Sequence, residues 1–143
     1  MTAMEPGVAE LTQEITKNEG ASSEVLRRLT AAIGTPLPDD YLDFMRQSNG
    51  GEGFVGAVSY LMLWRAEEIP ERNTRLEVSK RASSLLLFGS NGGDAAYAFN
   101  LASGSGARAQ IVEIPYVDLG EREAARPRGS SFVEFLRNLA AET

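Results

Sequence analysis

Three aspartates, Asp39, Asp40 and Asp43, fall within one short stretch of the chain. Residues three and four apart meet on one helix face, so these carboxylates could share a divalent cation through hard oxygen ligands. Acidic residues also gather in first helical turns because the positive end of the helix dipole favours them, and that plainer reading takes precedence. Gly51-Glu52-Gly53-Phe54-Val55-Gly56 has the spacing of a dinucleotide-binding turn. Its mechanism requires the turn to follow a strand and open a helix, so that pyrophosphate meets the helix N-terminus. Here the segment follows a helical pattern and leads into a strand, so a turn is expected and no cofactor. The chain has no histidine. That removes the Ser-His-Asp and Cys-His arrangements and the histidine zinc ligands. With no cysteine either, disulfides and thiolate metal sites are excluded. No Gly-Lys-Ser or Gly-Lys-Thr offers a phosphate loop. Carboxylate pairs could still do glycosidase-type chemistry, but nothing in the sequence singles out a pair. The residue types point away from catalysis, with no catalytic, metal or cofactor set.

The surroundings of these residues read as one compact unit. At 143 residues, 43% hydrophobic and 24% charged, the chain fits a single globular domain spanning 1–143. Met1–Glu10 has neither a basic residue nor an apolar run, and no stretch approaches the ~20 apolar residues of a membrane helix. The expectation is a cytoplasmic protein with no membrane contact. Fourteen basic against twenty acidic residues leave a net charge of −6, with lysine only at Lys17 and Lys80. Such a chain is a poor nucleic-acid binder and a better match for a basic protein, which its field would steer inward.

The first third is helical. Val8, Leu11 and Ile15 recur at helical spacing within an N-terminal extension, 1–21. Ser22 or Ser23 can cap a second helix with Leu26, Leu29 and Ile33 on its buried face, stopped by Gly34. Pro38 and the aspartates open a third, carrying Tyr41, Phe44 and Met45 and ended by Asn49-Gly50-Gly51. The middle reads as strands: Tyr60–Trp64, Leu85–Phe88, Ala96–Phe99 and Gln110–Ile114. Ser103-Gly104-Ser105-Gly106 suggests a hairpin between the last two. Pro70–Ser84 and Tyr116–Gly129 lack clear periodicity and are expected as surface loops, with room for a short helix within either. Ser131 and Glu134 form a capping box before Phe132, Phe135, Leu136 and Leu139. Helices, then strands, then a helix argue α+β with one antiparallel sheet.

The stretch Leu37-Pro-Asp-Asp-Tyr-Leu-Asp-Phe-Met-Arg-Gln-Ser-Asn-Gly-Gly51 resembles the signature segment of the SUKH superfamily. The order of later features is also similar. Trp64 ends an apolar strand and is followed by Glu67-Glu68-Ile69 and Asn73. The turn Phe88-Gly89 through Gly92-Gly93-Asp94 comes next, then Phe132–Leu136. The resemblance runs from Leu26 to Leu139. It implies helices packed on an antiparallel sheet, no catalytic residues, and work through protein contacts. The family includes bacterial immunity proteins that neutralise toxins, often nucleases, and a fungal regulator of cell-wall synthesis.

Two Asn-Gly-Gly turns are each followed by an acid, Glu52 and Asp94. Clustered at one edge, with Asp39, Asp40 and Asp43 nearby, these carboxylates would meet the basic surface of a toxin domain. Trp64 is either core or, where exposed, a binding anchor. An immunity-type inhibitor is the leading expectation. A scaffold or regulatory module is its first rival, and a histidine-free carboxylate enzyme its second.

Overall fold

Local signals set most of the helices. In the computed structural model, which describes residues 6–103 and 109–143, Ser22 caps α2 (Ser23–Ile33). Its Oγ accepts the Val25 N–H at 3.1 Å, and Gly34 closes the helix in the left-handed region. Helix α3 (Asp39–Gln47) begins immediately after Pro38 and buries Tyr41, Phe44 and Met45. At the far end of the chain α6 (Phe132–Ala140) is capped by Ser131, whose Oγ accepts the Glu134 N–H at 3.0 Å. The Glu134 carboxylate reaches back to the N–H and hydroxyl of Ser130, one residue before the expected partner.

Among the described residues seven strands form one antiparallel sheet in chain order. They are β1 (Thr16–Lys17), β2 (Gly51–Val55), β3 (Ser59–Leu63), β4 (Leu85–Ser90), β5 (Ala95–Asn100), β6 (Gln110–Pro115) and β7 (Arg126–Gly129). One register row runs Glu52, Met62, Ser90, Ala96, Ile114, and its neighbour Gly51, Leu63, Gly89, Tyr97, Glu113. Side chains alternate faces along a strand, so the two rows point to opposite sides.

The inner side carries the core. The Tyr41 ring of α3 lies edge-on to Phe99 of β5 at 5.0 Å and to Phe132 of α6 at 5.4 Å. Phe88 stacks on Phe99 at 4.2 Å, and Tyr97 meets Phe135 of α6 at 4.8 Å. Burial of such rings contributes most of the stability of a core this size.

The α+β class with a single antiparallel sheet is what the residues predict, and the differences are local. The N-terminal helix, α1 (Pro6–Leu11), stops short of Ile15. Thr12 turns its hydroxyl back onto the Val8 carbonyl at 2.7 Å, and Lys17 donates to the carbonyls of Thr12 and Ile15. These bonds satisfy the helix end and release the chain into β1. The expected loop at 70–84 contains α4 (Glu68–Arg75) and α5 (Val78–Arg81). Pairs four residues apart, Glu68–Arg72 and Glu71–Arg75, support α4, while Ile69 is its one buried side chain, so hydrophobic periodicity is weak. The expected loop at 116–129 holds two 3₁₀ turns, Tyr116–Asp118 and Arg122–Ala124, and β7, an Arg-Pro-Arg-Gly edge strand. Proline suits an edge, where no ladder N–H is required of it. Gly51–Val55, expected as a turn, is strand β2. In the hairpin expected at 103–106, Gly104, Ser105 and Gly106 lie outside the described residues, while β5 and β6 do pair antiparallel.

Candidate protein-binding face

The strand β2 is built from glycine and larger residues in alternation. Gly51 and Gly53 face inward, while Glu52 and Phe54 stand exposed on the outer side. The partner strand β3 contributes Tyr60 and Met62 to that side. Phe54 and Tyr60 sit opposite one another in register and meet edge to face, with ring centres 5.2 Å apart. Phe54 keeps 49% of its surface exposed, and Val58 in the turn between the strands keeps 52%. Exposed aromatic and branched side chains grouped on a sheet form the kind of patch that marks interaction sites.

Tyr60 is held on three sides. Its hydroxyl donates to Glu52 Oε2 at 2.5 Å, and that bond to a carboxylate, ahead of burial, raises the phenol above its ordinary value. Phe54 flanks the ring. On the third side is Gly92, of the turn between β4 and β5, with φ of 82°. A Cβ at Gly92 would lie 2.9 Å from Tyr60 Cδ2, so only glycine lets the turn close on the ring. The turn itself is fixed by Asn91, whose Oδ1 accepts the N–H groups of Gly93 and Ala95 at 2.9 and 3.2 Å. Asp94 stands exposed on it, with the Asn91 amide 3.4 Å from its Oδ1. Through Tyr60, Glu52 and the turn bearing Asp94 border one patch.

The first Asn-Gly-Gly turn has another task. Asn49 is buried, its Oδ1 accepting the Ala66 N–H at 2.8 Å and its Nδ2 donating to Glu67 at 2.7 Å. That bond holds the Glu67 carboxyl below the usual range. Ser48 donates to the Gly50 carbonyl at 2.6 Å and accepts the Asn18 N–H. Gly50 has φ of 77°, and a Cβ there would meet the Leu63 carbonyl oxygen at 2.5 Å. This turn ties α3 to the chain before α2 and to the chain after β3. It abuts Leu63, whereas the second turn abuts Tyr60 further along β3.

The remaining candidates are dispersed. Asp40 reaches across to α6, where Oδ2 accepts the Val133 N–H at 3.0 Å; its Oδ1 accepts the N–H of Tyr41. Burial pushes its carboxyl above the ordinary value, against the pull of these backbone donors. Asp43 pairs with Arg46 at 2.7 Å, and Asp39 is exposed. Among the described residues no group of three or more acidic side chains is placed to hold a metal ion. Trp64 is buried, 6% exposed, with the Arg72 guanidinium 4.9 Å from its ring centre. Of the two readings open for it, core is the one realised.

Phe54 and Tyr60 are the residues that sequence reasoning passed over. Two alternating segments around Gly56-Ala57-Val58 carry a hairpin signal, but the glycines of 51–56 suggest a turn. On the β5–β6 side the outer face is covered. Leu119, 1% exposed, shares a cavity of about 360 Å³ with Val112, Ile114, Ala125 and Pro127. The β2–β3 hairpin is left open beside it. No described helix is long and apolar enough to cross a membrane.

A family model described as SMI1 / KNR4 family (SUKH-1) covers residues 20–138, most of the chain. No curated protein matches it.

Proposed function

We propose, from the premise that the chain belongs to the SMI1 / KNR4 family (SUKH-1), that it is an immunity protein which binds a toxin domain and blocks it without catalysis of its own. The carrying observation is the open aromatic patch on the β2–β3 hairpin, Phe54 against Tyr60, with Val58 exposed in the connecting turn. A rigid sheet presents it, so little ordering entropy would be lost on binding. The acidic balance of the chain suits a basic toxin surface and disfavours nucleic acid. Family membership supports an immunity or regulatory protein-binding domain; the choice of a toxin as partner, and the cytoplasm as the place of binding, belong to this proposal.

A survival assay tests it. The coding sequence next to the gene is induced in a bacterial host with and without this protein, and colonies are counted. Colonies lost on induction and restored by the protein support immunity. Toxicity that the protein leaves unrelieved rejects that pairing, and partners recovered from unstressed cells then favour a regulatory module.

A further inference from the structure

We propose that the outer face of the β2–β3 hairpin, with Phe54, Tyr60 and Glu52 at its centre and Glu10 and Glu14 along its side, docks an arginine-bearing segment of a partner protein. The proposal rests on reading the chain as a protein-binding module, and adds the surface and the chemistry that the surface takes.

Two independent features lead to a guanidinium. The first is aromatic. Half of Phe54 is open, and Tyr60 is locked between it, Glu52 and Gly92. A cation within about 6 Å of such a ring is attracted by its negative face, and a planar guanidinium also stacks on it. Within the same chain Arg72 already takes this position over Trp64.

The second is charge. Several carboxylates elsewhere have their cations close by: Glu24, Asp43, Glu68, Glu71 and Glu77 each pair with an arginine or lysine three or four residues on. Among the described residues Glu10, Glu14 and Glu52 have none within ion-pair distance, and Glu10 and Glu14 line a groove with Phe54. Arg137 lines the groove too, against two carboxylates, while Glu52 lines a neighbouring cleft with Arg65, Glu68 and Arg72, the last of which is paired with Glu68. One Glu52 oxygen accepts from Tyr60, and Oε1 remains for a second donor. Carboxylate beside ring is the pairing that a bidentate arginine satisfies. A second copy of this chain, with its own net charge of −6, would be repelled from this face, as would an anionic membrane.

The test uses a short arginine-rich peptide as probe, with lysine-rich and glutamate-rich peptides of equal length as controls, titrated into isotope-labelled full-length protein. The expected result is amide shifts at Glu10, Glu14, Glu52, Phe54, Val58 and Tyr60, with arginine ahead of lysine and glutamate without effect. Phe54→Ala should weaken binding about twofold to fivefold, the size of an exposed cation–π contact. Glu52→Gln, which keeps the shape and an acceptor for Tyr60, should weaken it similarly and lessen its salt dependence. The amide spectra of the free variants check that the sheet is intact. Shifts mapping instead to other acidic segments such as Asp118–Glu123, or unchanged binding by both variants, would overturn the proposal. The survival assay separates the two readings. Rescue by the unaltered protein, with peptide binding unchanged in both variants, rejects this surface and leaves the immunity reading standing. A peptide map confined to the hairpin, with toxicity that the unaltered protein leaves unrelieved, supports the surface and rejects that toxin pairing.

Discussion

Asn49 shows how much structure one polar side chain can hold. Its backbone N–H donates to the Glu19 carbonyl at 3.0 Å and its carbonyl accepts from the Asn18 amide at 2.9 Å, while the side chain bonds Ala66 and Glu67. Three separate segments therefore meet at one residue. Asn49→Ala keeps the backbone bonds and leaves the Ala66 N–H, itself buried, without a partner. An orphaned donor of this kind costs about 1–3 kcal/mol. Urea denaturation should show the midpoint falling by that equivalent with an unchanged slope; an unmoved midpoint refutes the role. Asp40 makes a different prediction, in pH. Its folded value is raised above 3.8, burial outweighing the N–H groups of Val133 and Tyr41. The folded state thus holds this proton more tightly than the unfolded chain. Its contribution to stability is full below 3.8 and is lost as pH rises through the elevated value. Asp40→Asn keeps an acceptor for Val133 but does not titrate. The stability of Asp40→Asn relative to the unaltered protein should rise with pH across that window and level off above it. A flat difference from pH 3 to pH 7 would show that Asp40 ionises as an ordinary carboxylate.

At the scale of elements, α4 does the work of a missing strand. Strand β3 pairs with β4 only at Met62–Ser90 and Leu63–Gly89, after which the chain turns away. From there α4 lies beside β4, and Asn73 supplies what a strand would. Its Oδ1 accepts the Leu87 N–H at 2.9 Å, and its Nδ2 donates to the Leu87 carbonyl at 2.8 Å. Sequence reading places Asn73 in order after Trp64 but not its purpose, because a side chain that mimics a ladder bond leaves no periodic trace. For Asn73→Ala, hydrogen exchange at the Leu87 amide should lose its protection while the Ala98 amide, deeper in the sheet, keeps it. Equal loss at both would mean that the helix merely stabilises the whole. The same contrast explains which elements were legible. Helices α2 and α6 carry side-chain caps, α3 opens on a proline, and all three bury an apolar face, so Ser22, Pro38 and Ser131 announce them. The strands β4, β5 and β6 are apolar runs between glycine turns. What stayed hidden lacks a buried stripe: β1 has two exposed residues, β7 is Arg-Pro-Arg-Gly, and α4 is held mainly by ion pairs and Asn73. The β2–β3 hairpin is hidden for a related reason, since glycines on its inner side imitate a turn. Of the acidic candidates, Glu52 borders the patch and Asp94 sits on the turn that closes on it, both by way of Tyr60, whose position depends on a pairing register that sequence spacing does not specify.

For the molecule as a whole, the aromatic cluster makes folding and tyrosine ionisation one event. Tyr41 is fully buried among Phe88, Phe99 and Phe132, and burial pushes its phenol far above the ordinary range. Tyr97 is pushed up to about 12, mainly by burial and then by the Glu113 carboxylate, against a smaller pull from Arg128. Both groups hold their protons more tightly folded than unfolded. The stability they confer is therefore intact below pH 10 and drains away as pH rises through about 12. Neither ring can ionise in place without charging a core that α3 and α6 close from one side of the sheet. An alkaline titration followed by phenolate absorbance, with near-ultraviolet circular dichroism in parallel, should show ionisation in two parts. The late part should coincide with loss of the dichroism signal, because opening the core and releasing those protons are linked. Tyr41→Phe keeps the ring and removes a hydroxyl that has no hydrogen-bond partner among the described residues, so it should lower the late amplitude by about half without lowering stability at neutral pH. If all the tyrosines ionise together near pH 10 with the dichroism intact, the helices do not seal that side of the sheet. In that case the protein would be a looser molecule than its packing implies, and the outer hairpin would no longer be the rigid platform that its proposed binding depends on.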